Sequence, residues 1–347
     1  MSVVNSIHID ERNCPIALEP ISRFHSFMEW NLGGFTLIKK LQVQYPEAKI
    51  YYSTRDIAFQ KLIFERYSEI LPYTNQDIDL LVTPENYLPW DLQRVVTSVI
   101  DDTLTLNREW KKYRQKYKVK SAGFHVVGKD KHLYLHPKAV VYPGVVFDTS
   151  TGPIIIDEDV KISSFSFLEG PLYIGKGSQI DNARITGGTL IGNQCRIGGE
   201  VENSILLDFT NKHHEGFLGH SFVSSWVNLG ALSTTSDLKN NYGIVKLKIA
   251  SNEVNTGTIK FGSMIGPFSK IAIGVMLNTG SVVDIGSNLL ESRVSGYQHP
   301  FTWISKGNHY QLEAFISDTK KIMARRGINL LESEENYLKS LYSNLLE

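Results

Sequence analysis

Residues 259–290 read IKFGSMIGPFSKIAIGVMLNTGSVVDIGSNLL, and every sixth position, Ile259, Ile265, Ile271, Leu277, Val283 and Leu289, is apolar. A period of six fits neither a helix, which repeats near 3.6, nor a strand, which alternates by two. It fits a coil of hexapeptides, a parallel β-helix in which each flat side of a triangular turn sends one aliphatic residue inward. Toward the N-terminus the same register runs through Leu135, Val141 and Phe147, then Ile156, Ile162, Leu168, Ile174 and Ile180, then Ile185, Ile191 and Ile197. It returns at Phe217, Val223 and Leu229. Gly175, Gly192, Gly198 and Gly230 directly follow inward positions, where the chain must turn a tight corner.

The bulk composition narrows the partners. Lys plus Arg numbers 36 and Asp plus Glu numbers 36, so no global charge draws the chain to nucleic acid or to a membrane surface, and neither partner is expected. Cys14 and Cys195 stand far apart without metal-ligand or disulfide spacing, which fits a reducing compartment. No basic leader precedes a long apolar stretch, and no window approaches the ~20 apolar residues of a membrane span. A cytoplasmic protein is expected.

At 347 residues the chain has room for two domains, and the texture changes outside the coil. Over 1–125, short apolar runs at 50–52 and 78–82 alternate with helical spacing at 35–41 and 58–67. Ser53-Thr54-Arg55-Asp56 reads as a strand exit entering a helix cap. The expectation is mixed α/β plus β: a small α/β domain over 1–125, a β-helix over 126–305, and C-terminal helices over 306–347. Those helices, patterned at 310–323 and 334–346, either cap the open end of the coil or pack between subunits. The basic run KKYRQKYKVK at 111–120 reads as a solvated face or connector. The coil register breaks at 203–216 and at 233–257, and both breaks are expected to be loops displayed on one face, where solenoids often carry their sites.

Ordered motifs occupy those breaks. Residues 211–220 read NKHHEGFLGH, followed by VNLGALSTT at 227–235, KNNYG at 239–243, TGTIKFG at 256–262 and NTGSVV at 278–283. In this order they resemble the acetyltransferase domain of the bifunctional glucosamine-1-phosphate acetyltransferase / N-acetylglucosamine-1-phosphate uridylyltransferase (GlmU). They resemble still more the alternative GlmU-like sugar nucleotidyltransferases of some bacterial groups. The resemblance spans about residues 130–305 strongly and the first 90 faintly. It implies a left-handed parallel β-helix, a homotrimer, acetyl-CoA or another acyl-CoA as co-substrate, and an amino-sugar phosphate or nucleotide sugar as acceptor.

Position by position, the resemblance makes His214 the general base. An amine that is protonated at neutral pH cannot attack a thioester, and an imidazole suits the removal of its proton. Asn228, Asn241 and Tyr242 match positions that contact sugar, and Lys246 or Lys248 lies near a lysine that contacts the sugar phosphate. Arg184 is a further phosphate candidate. Phe217 stands where an aromatic hydroxyl would donate to substrate, and Glu202 near a substrate-binding lysine. The backbone N–H groups at Gly230 and Ala231 are candidates for the thioester oxyanion. The hexads beyond Ile259, Gly266 included, would wall the pantetheine channel. His213, His214, His220 and Glu215 are metal-ligating types, but adjacent side chains rarely turn to one ion, so no metal site is expected.

The first domain departs from the nucleotidyltransferases. It has no Gly-rich phosphate loop, and IALEPISRFHSFMEWNLGGFTLI at 16–38 resembles an eroded, truncated form of the opening segment of the alternative group. Mg²⁺ is expected only if nucleotidyl transfer is retained. Three readings stand: an N-acetyltransferase; a sugar-1-phosphate nucleotidyltransferase whose β-helix is a trimerisation scaffold; and a non-catalytic sugar-nucleotide-binding homologue.

Overall fold

The structure, a computed structural model, describes residues 4–54, 56–94, 96–108, 110, 123–304 and 307–346. The basic run at 111–120 lies outside them. From residue 125 to residue 304 short parallel strands stack rung upon rung into a three-faced coil. On the first face Ile162, Ile180 and Ile197 lie in register, and on the second Phe147, Leu168, Ile185, Val201 and Leu218 do so. On the third, Ile156, Ile174, Ile191, Leu206, Val223, Ile265 and Val283 continue the stack. These side chains point inward and form one dry core. Each such aliphatic residue contributes about 1.5–3 kcal/mol by leaving water.

The hexad reading needs four corrections. The segment 203–216 is not a displayed loop but a further turn of the coil, with strands Ile205–Leu206 and Asn211–Lys212. Its register was hidden because Lys212, opposite Ile197, fills an inward position. Leu218 rather than Phe217 points inward on the next strand, since it pairs with Val201 while Phe217 pairs with outward Glu200. Ile259 lies outside the stack, 47% exposed, and the ladder resumes at Ile265. Part of the second break also belongs to the coil, because Thr234–Thr235 pairs with Met276–Leu277. The rest leaves it as an excursion whose hairpin, Lys246–Ile249 with Asn252–Asn255, turns Val245, Leu247 and Ile249 into a buried core.

The N-terminal unit is a parallel sheet of β1 (Ser6–Asp10), β2 (Lys49–Ser53), β3 (Leu71–Pro72) and β4 (Leu80–Val82) in the order β3-β2-β1-β4. Helices α1 (Leu37–Gln44) and α2 (Ile57–Arg66) flank β2, and α3 (Val96–Leu106) follows β4. Asp56 caps α2 by accepting from the Phe59 N–H, as its sequence predicts.

The third face of the coil holds this unit. Its outward residues Ile155, Tyr173, Leu190, Ile205, Phe222, Met264 and Val282 are apolar too and share one core with the N-terminal residues. A strand that is apolar on both sides is a strand covered on both sides. Trp30 packs on Phe222 at 4.9 Å and Phe24 on Phe268 at 4.9 Å. Helix α4 (Leu312–Ala324) brings Phe315 against Phe268 and Phe301, and α5 (Glu332–Leu346) lies on α2 through Phe59 and Tyr337.

Candidate active site

The corner between the first and second faces, residues 213–216, joins Asn211–Lys212 to Phe217–Gly219. Lys212 is buried inside the coil, and its Nζ donates to the carbonyls of Gly198 and His214, each at 2.8 Å. Burial pushes its pKa down to about 8. The ammonium therefore pins the backbone of the corner from within. His214 itself is exposed, and among the described residues its imidazole has no hydrogen-bond partner. Its ring lies 4.9 Å from that of His213. His213 is the oriented member of the pair: its Nε2 stands 2.8 Å from Asp181 Oδ2.

Asn228 sits one rung on from Asn211, exposed, and its Oδ1 accepts from Asn211 Nδ2 at 2.6 Å. Both belong to an outward polar row in register along the first face, Gln179, Arg196, Asn211, Asn228 and Lys270. A cavity of about 510 Å³ lies over this row, bounded also by His213, Phe209, Trp226 and residues near the end of α4. The structure thus brings Asn228 and His213 to the wall of one cavity, whereas His214, the base on the motif, lies with its ring against that of His213 and is not part of that wall.

On the second face Phe217 points outward beside Asp237, and both wall Gly219 so closely that a Cβ there would collide with them. Arg184 shares this face but is ion-paired with Glu200 at 2.6 Å. His220 pairs with Asp237: its Nδ1 is 2.7 Å from Asp237 Oδ2, a bond that holds the Asp237 carboxyl below the usual carboxylate range. The ligand atoms of Glu202, His220 and Asp237 lie within 4.8 Å of one another, with Lys260 Nζ 3.4 Å from Glu202. That ammonium already supplies a positive charge there, and the group works as an ion-pair cluster.

Other sequence candidates lie elsewhere in this chain. Lys246 and Lys248 are exposed on the hairpin that packs toward the third face, and Lys246 is paired with Glu253 at 2.7 Å. Asn241 and Tyr242 lie in the loop before it; Asn241 Oδ1 accepts from the Gly243 N–H, and Tyr242 is 68% exposed. Gly230 cannot serve the oxyanion role, because its N–H donates to the Ile271 carbonyl at 2.8 Å as part of the coil stack. The adjoining Ala231 N–H has no acceptor among the described residues. Gly266 is no channel wall: it is buried under the Pro20 carbonyl, which a Cβ would meet at 2.4 Å. Its smallness lets the N-terminal unit seat on the coil.

Sequence reasoning missed Asp181, the inward role of Lys212, and the basic residues of the first face. Lys212 was open to discovery, since it falls fifteen positions after inward Ile197, one coil turn on.

No protein-family model matches the chain. Among curated proteins it is 32% identical over 139 residues to a bifunctional sugar-1-phosphate nucleotidylyltransferase/acetyltransferase of Sulfurisphaera tokodaii, covering 39% of this chain and 34% of that protein. It is 30% identical over 157 residues to the bifunctional protein GlmU of Wolbachia pipientis, covering 44% and 33%. It is 28% identical over 148 residues to the uncharacterized acetyltransferase YaiX of Escherichia coli, covering 42% and 64%. A solved structure of a hexapeptide transferase family protein from Anaplasma phagocytophilum aligns over 64% of this chain and 97% of that one, at 16% identity and a TM-score of 0.21. A mutant perosamine N-acetyltransferase from Caulobacter crescentus, in complex with CoA and GDP-perosamine, aligns over 88% and 97%, at 14% identity and a TM-score of 0.18.

The class is that of the hexapeptide-repeat β-helix proteins. In sequence the chain is similar to GlmU-type bifunctional proteins over stretches of 139 and 157 residues. It spans about a third of the length of the bifunctional relatives. Among the described residues no helix is long and apolar enough to cross a membrane.

Proposed function

We propose that this chain is an N-acetyltransferase that moves an acyl group from acetyl-CoA, or another acyl-CoA, to the amine of a sugar carried on phosphate or on a nucleotide. The observation that carries this reading is that His213, against whose ring the His214 ring lies, and Asn228 wall one polar cavity on the first face. The named activities of the relatives, acetyl transfer among them, support it.

In the reaction a base removes a proton from the sugar ammonium, and the free amine attacks the thioester carbonyl. The tetrahedral oxyanion collapses, expelling CoA thiolate, which takes up a proton. His214 is the base on the motif, and its exposed ring is free to meet an acceptor. His213 is the second reading, favoured by Asp181, since a carboxylate on one ring nitrogen fixes tautomer and orientation. The Ala231 N–H is the backbone donor proposed for the oxyanion. A homotrimer working in the cytoplasm on cell-envelope precursors completes the proposal.

CoA release from acetyl-CoA, followed with a thiol reagent across glucosamine-1-phosphate and UDP- and GDP-linked amino sugars, tests the reading. Turnover with one acceptor supports it, and its absence across the panel rejects it. Mg²⁺-dependent pyrophosphate release from UTP and N-acetylglucosamine-1-phosphate would instead favour the nucleotidyltransferase reading.

A further inference from the structure

The cavity over the first face is lined by four cationic side chains and, among the described residues, by no carboxylate. Arg196 and Lys270 rise from the coil, while Arg325 and Arg326 reach in just past the end of α4. In a chain with 36 basic and 36 acidic residues this local imbalance is not a reflection of overall charge. Basic residues after a helix offset its dipole, which accounts for Arg325 and Arg326 but not for the two from the coil.

Among the described residues, neither Arg196, Arg325 nor Arg326 forms an ion pair. The Arg196 Nη1 is buried and has no hydrogen-bond partner. Lys270 is held by Tyr310, over whose ring its Nζ lies and whose hydroxyl it meets at 3.1 Å, with Asp318 behind that hydroxyl. Burial, helped by repulsion from Arg196, holds the Arg326 guanidinium below its usual pKa. A fold that gathers like charges and leaves a buried guanidinium N–H unsatisfied favours an anion at that point. Phe209 and Trp226, stacked 4.0 Å apart and nearly parallel, form the flat apolar side of the same cavity.

We infer that this cavity is a binding site for a phosphate-bearing ligand of diphosphate size, clamped between the coil and the end of α4 by Arg196, Lys270, Arg325 and Arg326. The inference deepens the acyl-transfer proposal at the same cavity and rests on that reading for its choice of ligand, while the charge complementarity holds whatever reaction the histidines run. The diphosphate of a sugar nucleotide and that of CoA share this chemistry.

Calorimetric titration with inorganic pyrophosphate tests the site without any turnover. The intact protein is expected to bind it, more weakly as salt rises, and Arg196→Gln and Arg325→Ala are each expected to weaken binding about tenfold. Arg325 is exposed, so its replacement leaves the fold intact. Parallel titrations with CoA and with a UDP-sugar identify the source: the one weakened by the same two replacements occupies the cavity. Undetectable pyrophosphate binding, or binding that both variants leave unchanged, overturns the inference. Absence of acetyltransferase turnover across the acceptor panel, with pyrophosphate binding retained, would reject the acyl-transfer reading and leave this site standing.

Discussion

Lys212 Nζ donates to the carbonyl of His214 at 2.8 Å, so the residue that interrupts the aliphatic ladder also fixes the backbone of the histidine corner. A buried ammonium is costly unless its protons are matched, and here two carbonyls match two of them.

Replacement Lys212→Met keeps the buried aliphatic stem and removes those two bonds. Amide exchange over 213–216 is expected to quicken while the rest of the coil is unchanged, and hydrogen-exchange mass spectrometry reads this directly. The pH dependence follows from the lowered pKa of about 8 against an ordinary 10.5. Between those values the unfolded chain binds the extra proton, so this residue makes stability rise with pH, by about 3 kcal/mol over the window. Chemical denaturation at pH 8 and 10 is expected to show that rise in the intact protein and not in the Met variant. Equal slopes in the two proteins would refute the buried assignment.

Arg23 and Asp284 bind the N-terminal unit to the coil. Arg23 Nη2 stands 3.2 Å from Asp284 Oδ2, and that buried carboxylate also accepts from the Tyr297 hydroxyl at 2.7 Å. Asp284→Ala leaves a mostly buried guanidinium without its carboxylate, and a loss of about 3–5 kcal/mol is expected in urea unfolding. A loss below about 1 kcal/mol would show that water reaches Arg23 freely.

The two histidines separate by their pH behaviour. With an active acceptor in hand, His214→Ala is expected to lower kcat about 100-fold or more, whereas His213→Ala lowers it less. Should His213 be the base, the order reverses, and Asp181→Asn shifts the acidic limb of the kcat/KM profile. Comparing the three variants over pH 5–9 decides which ring takes the proton.

Glu11, at the end of β1, is fully enclosed and accepts from the Ser26 hydroxyl at 2.6 Å and the Phe27 N–H at 3.1 Å, with the Tyr52 hydroxyl as a third donor. Burial outweighs those bonds and raises its pKa to about 7 from 4.5. The folded state then binds the proton more tightly, so this residue makes stability fall as pH rises from 4.5 to 7 and adds no slope above. Glu11→Gln is expected to be the more stable protein at pH 8 and to lose that part of the slope, as thermal unfolding at pH 5, 6 and 8 will show. An unchanged slope would mean that Glu11 is ionised in the fold.

Part of the candidate site was legible beforehand. The loop motifs located the histidine corner and Asn228 because side-chain chemistry at fixed spacing survives in a linear string. Arg196, Lys270, Arg325 and Arg326 escaped because no spacing links them: the first two are rungs apart and the last two lie more than fifty residues further on. Gly230 and Gly266 were misread for a related reason. A glycine in a stacked coil is small for whatever lies above it, the next rung at Gly230 and Pro20 at Gly266, and that neighbour is invisible from the chain.

The sequence by itself determined the coil, since a six-residue apolar period has one way to bury its aliphatic residues, and its motifs singled out the histidine corner as a candidate site. The tertiary structure decided what covers each face. The third face took the N-terminal unit because its outward residues are apolar and must leave water. The first, polar and basic, stayed open under the end of α4 because unpaired charge keeps its hydration until an anion replaces it.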